Sequence, residues 1–183
     1  MKKRILISQI TAILMLIIAK PDNWNFFFAG LILFVIGQTV RLLSSACIVK
    51  SKTLTTNGPY AAARNPLYLG TFIMTLGFML TLYSPNDIAR TLIVWVFAIV
   101  AFSWIYKKTI FAEEKFLLKT YGKDYENYKK TVNSIIPKLG SFHNFFDSSV
   151  YSGETFRKNK EWRGMVAMIA LIIFVGARIY YGF

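Results

Sequence analysis

The stretch WNFFFAGLILFVIGQTV (residues 24–40) contains no charged side chain and decides the class of fold. A bilayer hydrocarbon core about 30 Å thick requires roughly 20 mostly apolar helical residues to cross it. With 55% hydrophobic and only 17% charged residues, the chain is too apolar for an ordinary soluble domain. We therefore predict an all-α, polytopic integral membrane protein with about five transmembrane helices. Their apolar segments are residues 5–19, 24–40, 67–83, 88–106 and 165–183.

The positive charges indicate how these helices are oriented. With a cytoplasmic N-terminus, all but Lys20, Arg90 and Arg178 of the 22 Lys and Arg residues fall in cytoplasmic segments. Short loops rich in Lys and Arg stay on the cytoplasmic side. We therefore expect a bacterial-type inner (plasma) membrane protein whose active site faces the cytoplasm. The net charge of +13 is then explained by basic residues that lie beside the anionic cytoplasmic leaflet and are attracted to it. No nucleic-acid recognition motif accompanies this charge.

Cysteine and histidine are too few to build a metal site. The lone Cys47 and the lone His143 do not form a ligand set, so we expect no metal. On the last apolar segment, Gly164 and Gly176 are expected to allow close helix packing, including packing between copies.

The chain divides into three parts by composition. Residues 1–49 are predicted to form an N-terminal transmembrane hairpin, and residues 50–137 a central core. Residues 138–183 combine an interfacial connector with the last transmembrane helix. We expect the connector to act as a plain anchor rather than as a lid.

The cytoplasmic loop TTNGPYAAARNPLYLG (residues 55–70) is unusually rich in specific side chains. Its Asn-Gly-Pro at residues 57–59 is a turn signal. Asn65 is a natural N-cap and Pro66 a natural first helical residue, so a helix is predicted to begin here. A helix N-terminus favours a carboxylate or phosphate, and Arg64 adds a positive charge beside it.

Tyr60 and Tyr68 in the same loop carry rings whose faces attract cations. The same residues also fit a simple tight turn with tyrosines at the membrane interface. The loop by itself leaves both interpretations open.

Two adjacent acids, Glu113 and Glu114, follow the fourth apolar segment. Adjacent helical residues point about 100° apart, so we expect only one of them to face inward. An acid held near the membrane interface is mostly kept for function. The alternative is that Lys107, Lys108 and Lys115 simply pair with the acids at the surface.

Aromatic and apolar residues recur after these acids at helical spacing, with lysines between them. The pattern predicts an interfacial cytoplasmic helix. Its aromatic residues favour packing over a cofactor site. The stripe consists of Phe116, Leu117, Tyr121, Tyr125 and Tyr128.

Taken in order, these motifs resemble a known family. TLTTNGPYAAARNPLYLG, an apolar helical hairpin, EEKFLLKTYGKDYENYKK and a later IIP are similar to the isoprenylcysteine carboxyl methyltransferase and phospholipid methyltransferase family of integral membrane enzymes. The resemblance covers about half the chain, residues 50–137, which it implies is a methyltransferase core.

The resemblance implies S-adenosyl-L-methionine as cofactor, bound at the cytoplasmic membrane face between the loop and the acidic helix end. Glu114 is a second candidate beside Glu113, because the helix phase leaves the choice open. The implied cofactor contacts are Leu54, Thr55, Tyr60, Asn65, Pro66, Leu67, Tyr68 and Glu113. A sulfonium cation with an amino-acid tail suits aromatic faces, a carboxylate and backbone donors.

Two positions depart from the family pattern. Asn65 stands where the family usually has His, and an amide carries neither a proton nor a charge at that position. Thr109 stands where carboxyl-methylating members have the arginine that holds the substrate carboxylate, with Lys108 nearby. Lysine supplies charge but not the bidentate fork of arginine. The candidate catalytic residues are Arg64, Asn65, Glu113 and Lys108.

The implied activity is methyl transfer by direct displacement to a lipophilic, membrane-embedded acceptor. Two acceptor classes remain open within it: a prenylated or other lipophilic small molecule, and a phospholipid head group. A third alternative is a non-catalytic, lipid-binding membrane protein derived from this family, which Asn65 and Thr109 favour.

Overall fold

A computed structural model describes residues 2–49 and 53–182, and every regular element among them is a helix, which confirms the all-α prediction. Two 3₁₀ helices, Leu139–Phe146 and Ser148–Val150, lie in the connector. The α-helices are α1 (Lys2–Ile18), α2 (Trp24–Cys47), α3 (Pro59–Ala62), α4 (Pro66–Thr81), α5 (Ile88–Thr131), α6 (Gly153–Asn159) and α7 (Trp162–Tyr181).

Most of each predicted apolar segment lies in one of the longer helices, but the segments 5–19, 67–83 and 165–183 extend past the helix ends at Ile18, Thr81 and Tyr181. Among the described residues, three helices are long and apolar enough to cross a membrane: α2, α5, and α7 over Gly164–Tyr181. Apolar stretches in α1 and α4 are shorter. The 16 residues of α4 extend about 24 Å at 1.5 Å per residue. Five spans with a cytoplasmic N-terminus therefore stay a prediction, and Phe183, the end of the last predicted segment, lies outside the described residues.

The outer surface of α5 is suited to lipid rather than to water. Ile93, Val96 and Val100 are each at least 60% exposed, and they recur at helical spacing. A contiguous aliphatic face of this kind is uncommon on a soluble monomer. This face agrees with residues 88–106 as the predicted membrane-crossing part of α5, which stays a prediction.

The chain forms two compact units. The first comprises residues 1–35, 74–109 and 167–183, and its core includes Met15, Phe34, Phe78, Leu82 and Val175. The second comprises residues 36–73 and 110–166, and it contains the polar loop and both acids. The predicted three-part division along the chain is a separate statement and stays a prediction.

Helices α2 and α4 approach each other at backbone distance in the first unit. A Cβ added to Gly77 would lie 2.6 Å from the Gly30 carbonyl oxygen, and one added to Gly30 would lie 2.7 Å from the Thr81 backbone nitrogen. Only glycine fits at this contact, because no side chain can move to make room. Close packing of small residues is a common way for apolar helices to associate.

The glycines named from sequence behave differently. A Cβ at Gly164 would meet nothing within 4 Å, and one at Gly176 would make ordinary contact with the Phe27 ring at 3.4 Å. Gly164 therefore makes no close helix contact within the chain. Contacts that require glycine lie elsewhere, at Gly30 and Gly77 and also at Gly70, where an added Cβ would lie 2.6 Å from the Gly37 carbonyl oxygen.

Helix α5 is not one straight helix. Gly122 has φ 50° and ψ −122°, so two helical stretches meet there at a kink. A φ of +50° is readily available only to glycine. In the second unit the chain after this kink runs back toward residues 60–65, where the Arg64 backbone N–H donates to the Asn133 carbonyl (2.9 Å).

The connector packs against the end of α2, also within the second unit. The Ser152 backbone N–H donates to the Ala46 carbonyl (3.0 Å), and the Asn159 amide donates to the carbonyls of Ser45 (2.8 Å) and Ile48 (3.0 Å). These bonds satisfy carbonyls at the C-terminal end of α2 that have no partner within the helix.

Substitution Gly30→Ala is expected to lower the free energy of unfolding by about 3 kcal/mol, because α2 and α4 would have to separate. Gly164→Ala is the matched control, since its position is open and alanine favours helix by about 1 kcal/mol. Thermal unfolding of the purified proteins in detergent measures both. Equal midpoints for the two variants would contradict the close contact.

Candidate active site

Arg64 is the most heavily bonded side chain of the polar loop. Its Nη1 donates to the Val132 (2.7 Å) and Lys129 (3.1 Å) carbonyls, and its Nη2 donates to Glu114 Oε1 (2.7 Å). The side chain is only 8% exposed. Arg64 thus joins the loop to residues of α5 before the Gly122 kink and to residues at the end of α5, and its geometry suits positioning rather than contact with a ligand.

Glu114 is the inward-facing acid of the pair. Besides Arg64, its carboxylate receives the Ser134 hydroxyl (3.2 Å) and pairs with Lys129 Nζ (3.3 Å). Burial raises the pKa of Glu114, but the hydrogen bonds and charges of Arg64 and then Lys129 outweigh it and hold that pKa below its usual value. Glu114 is therefore an ionised, fully engaged carboxylate.

Asn65 is buried and acts through Ser134. Its side-chain amide donates to Ser134 Oγ (3.1 Å), and its backbone N–H donates to the Ser134 carbonyl (2.9 Å). Helix α4 begins at Pro66 as predicted, and the backbone carbonyl of Asn65 accepts from Tyr68 (3.0 Å) and Leu69 (3.1 Å). The Asn65 side chain therefore ties the loop to the segment after α5.

Tyr68 and Glu113 form the second link between the loop and α5. The Tyr68 hydroxyl donates to Glu113 Oε1 at 2.6 Å. The Tyr68 side chain is buried, whereas Glu113 is exposed to solvent. Both acids thus accept hydrogen bonds from residues 64–68, and Glu113 is exposed whereas Glu114 is half-buried.

Tyr60 carries a buried hydroxyl with no hydrogen-bond partner. The residue is 6% exposed, and its backbone carbonyl accepts from the Tyr128 hydroxyl (2.5 Å). Burial, followed by the proximity of Tyr128, Cys47, Glu113 and Tyr68, raises the pKa of Tyr60 well above its usual value. A neutral, unbonded hydroxyl beside Glu113 and Tyr68 is ready to receive a polar ligand atom.

The remaining cofactor candidates line the same part of the chain. Leu54 and Thr55 are half-buried just before the Gly58 turn, and Pro66 is buried. Gly58 has φ 54° and leads directly into α3. Leu67 is half-buried, and its carbonyl accepts from Arg41 Nη1 (3.3 Å).

Lys108 and Thr109 are not among the residues that form this cluster. The Lys108 ammonium lies over the Trp104 ring, 4.1 Å from its centroid, and the Thr109 hydroxyl donates to the Ile105 carbonyl (2.8 Å). Both are engaged within their own stretch of α5. Lys108 as a catalytic residue stays a prediction without a contact to carry it.

The sequence reasoning missed Ser134 and Lys129. Ser134 directly precedes the Ile-Ile-Pro motif at residues 135–137, and Lys129 lies in the lysine-rich helix end. Both residues reach Glu114 because the chain reverses direction at Gly122. No local sequence pattern predicts this reversal. The aromatic stripe divides in two, since Tyr125 and Tyr128 are buried while Phe116 is 55% exposed.

Within residues 2–49 and 53–182, no group of three His, Cys, Asp or Glu side chains is arranged to hold a metal ion. His143 Nδ1 lies 2.8 Å from the Gly140 carbonyl oxygen.

Comparison with known families gives one decisive match. The family model described as "Phospholipid methyltransferase" matches residues 10–124, which is more than half of the chain. The chain belongs to this family. The match includes the polar loop, α4 and both acids, and it ends inside α5 just after the Gly122 kink.

Several curated proteins are similar to this family member. A "Probable protein-S-isoprenylcysteine O-methyltransferase" from Oryza sativa subsp. indica is 30% identical over 129 residues, covering 63% of each chain. A protein-S-isoprenylcysteine O-methyltransferase from Schizosaccharomyces pombe is 35% identical over 104 residues (56% of this chain, 41% of the relative). One from Saccharomyces cerevisiae is 31% identical over 120 residues (59% and 47%). No solved structure gives a significant match.

This family member spans less than two thirds of the length of the curated relatives that it matches. The activity, substrate and partners of the relatives are therefore a basis for proposals about it rather than statements of what it does.

The low pKa of Glu114 predicts how stability depends on pH. An acid whose folded-state pKa is below its unfolded value stabilises the fold when ionised, and that contribution is lost as the pH falls through the folded-state value. We expect Glu114→Gln to lower the free energy of unfolding by about 3 kcal/mol near neutral pH. The difference from wild type should shrink below the ordinary glutamate pKa of about 4.3.

Thermal midpoints between pH 7 and pH 3 measure this effect. Glu126→Gln is the matched control, because Glu126 is an exposed glutamate on the same helix. A Glu114→Gln difference that stays constant over this pH range would show that the carboxylate charge is not what holds the loop.

Proposed function

We propose that the chain is an S-adenosyl-L-methionine-dependent methyltransferase that acts on a lipophilic, membrane-embedded substrate. The observation that carries the proposal is the buried, unbonded Tyr60 hydroxyl beside the Tyr68–Glu113 pair, in a chain of this family. The excess of positive charge in the predicted cytoplasmic segments supports a site at the cytoplasmic face of a bacterial-type inner membrane.

The side chains fit the polar groups of this cofactor. Glu113 is exposed, so its carboxylate can accept from an ammonium group or from ribose hydroxyls. The Tyr68 hydrogen bond holds that carboxylate in one orientation, and the Tyr60 hydroxyl offers one more donor or acceptor. Glu113 is favoured over Glu114, whose oxygens are occupied by Arg64, Lys129 and Ser134.

When bound, S-adenosyl-L-methionine supplies an activated methyl group with a good leaving group. The protein then mainly has to position the acceptor atom and exclude water. In the described cluster, the Asn65 amide is bonded to Ser134 and the Arg64 guanidinium to Glu114. The arrangement therefore suits direct displacement without a strong general base, with Arg64 and Asn65 acting as positioning residues.

Two acceptor classes agree with different comparisons. The names of the curated relatives point to carboxyl methylation of a prenylated substrate, and the family description points to a phospholipid head group. Thr109 and Lys108 provide no bidentate cation for a carboxylate. A non-catalytic lipid-binding relative is the alternative of another class, and only turnover distinguishes it from an enzyme.

Glu113→Gln is expected to weaken binding of S-adenosylhomocysteine by about 10-fold or more, because a charged acceptor becomes a neutral amide. Calorimetry on the intact purified protein measures this, with Glu126→Gln as the control. If wild-type protein in several lipid environments shows no binding, the methyltransferase proposal fails.

Tyr60→Phe separates a binding role from a folding role in the same experiment. Removing an unpartnered buried hydroxyl should leave the thermal midpoint unchanged or slightly raised. Affinity for S-adenosylhomocysteine should fall about fivefold if this hydroxyl meets the ligand. Unchanged affinity would remove Tyr60 from the cofactor site.

Incubation with methyl-labelled cofactor and membrane lipid extracts identifies the acceptor. We expect label in a lipid-soluble fraction with wild type and at least about 10-fold less with Glu113→Gln. Base-labile label indicates a carboxyl ester, and base-stable label in the phospholipid fraction indicates N-methylation. Cofactor binding without any labelled product would favour the non-catalytic alternative.

A further inference from the structure

Arg41 is a charged residue inside the membrane-spanning helix α2, and none of the motifs discussed above includes it. It is the only Lys or Arg of α2, which runs from Trp24 to Cys47. If α2 crosses the bilayer from Trp24, Arg41 lies about 26 Å along the helix, at the depth of the opposite head groups. Arginine is common at that depth, where its charge reaches the interface, so the contacts of Arg41 rather than its position indicate what it does.

Arg41 touches the candidate cofactor segment directly. Its Nη1 donates to the Leu67 carbonyl (3.3 Å) and to the Thr71 hydroxyl, both in the first two turns of α4. Leu67 is adjacent to Tyr68, whose hydroxyl holds Glu113. A group bound at Arg41 would therefore lie on the same helix end as the proposed cofactor site.

The other terminal nitrogen of the Arg41 guanidinium pairs with a carboxylate from a distant part of the chain. Nη2 pairs with Glu161 Oε1, and the two side chains are 25% and 16% exposed. Glu161 lies in the connector, beyond the residues that match the family model. Its carboxylate occupies the place that an anionic ligand of the guanidinium would take.

The chain adopts an unfavourable backbone conformation next to Glu161. Lys160 ends α6 in the left-handed region with φ 54°, which is unfavourable for a non-glycine residue and is the only such conformation among the described non-glycine residues. Arg157, Lys158 and Lys160, which precede Glu161 in the chain, are exposed and positively charged. This charge attracts anionic lipid head groups.

We infer that Arg41 is a binding site for the anionic group of a lipid acceptor, a carboxylate or a phosphate, and that Glu161 is its resident counter-ion. The inference rests on the proposed function, since it names the substrate group recognised beside that cofactor site. An anionic head group replaces Glu161 on Arg41, and the guanidinium fork fits either anion. Both acceptor classes carry such a group, so the site serves either.

The alternative is that Arg41 and Glu161 only anchor the connector, and Glu161→Gln distinguishes the two by the sign of its effect. If Glu161 competes with the ligand, its neutralisation raises affinity for an anionic lipid by about threefold or more. Arg41→Gln lowers that affinity by about 10-fold, the usual loss for a charge-assisted hydrogen bond. A purely structural pair predicts no gain from Glu161→Gln.

The probes are matched lipids added to the full-length protein in detergent, with binding followed by native mass spectrometry. Phosphatidic acid is compared with diacylglycerol of the same chains, and a farnesyl thioether carboxylic acid with its methyl ester. Preference for one anion over its neutral partner identifies whether the phosphate or the carboxylate source is used. Glu126→Gln and Lys123→Gln are control variants, because each removes a charge of the same sign from an exposed position on α5.

The inference is supported if Glu161→Gln raises and Arg41→Gln lowers binding of an anionic probe while both controls stay within about twofold of wild type. It is overturned if wild type does not prefer either anion, or if Glu161→Gln lowers the thermal midpoint without raising affinity. Should Arg41→Gln fail to fold, Arg41→Lys and the sign of the Glu161→Gln effect still decide. Calorimetry with S-adenosylhomocysteine reports separately on the proposed function.

Discussion

The ion pair between Arg64 and Glu114 is the interaction on which the second unit depends. Arg64 is nearly enclosed, and its guanidinium also caps two carbonyls where α5 ends. A buried charge without its partner is strongly destabilising, so neither member can be lost alone. The pair fixes the distance between the polar loop and the acidic stretch of α5. That distance in turn sets Tyr68 against Glu113 and leaves Glu113 open to solvent.

The two neighbouring acids show how one contact separates two roles. Glu114 has cationic partners and a hydroxyl on it, while Glu113 has a tyrosine hydroxyl and water access. The amide of Asn65 belongs with Glu114, because Ser134 joins them. An imidazole is therefore not needed at residue 65 to hold this loop in place. Measuring turnover tests whether methyl transfer needs one.

Much of the fold could be predicted because hydrophobic composition is a local property. Apolar runs such as residues 24–40 indicate a membrane environment by their composition alone. Asn65-Pro66 indicates the start of α4 through local backbone preferences alone. The loop and the acids could be grouped because the predicted topology places both on one side of the membrane. Ser134, Lys129 and the Gly30–Gly77 contact could not be found this way, since each depends on a partner far along the chain. The charge of Arg64 makes it a candidate catalytic residue from sequence. The groups to which this charge is bonded lie about 50 and 65 residues away in the chain.

The kink at Gly122 has a consequence for how this chain can change. Glu114 and Ser134 are 20 residues apart, which in an unbroken helix would separate them by about 30 Å, yet their side chains are 3.2 Å apart. The segment between Gly122 and Ser134 therefore needs a fixed length to bring Ser134 back to Glu114. Side chains along its outer face are free to vary, but one inserted residue would turn the following helix by about 100° and carry Lys129 and Ser134 off their partners. Substitutions in this segment are therefore tolerated far more easily than insertions or deletions.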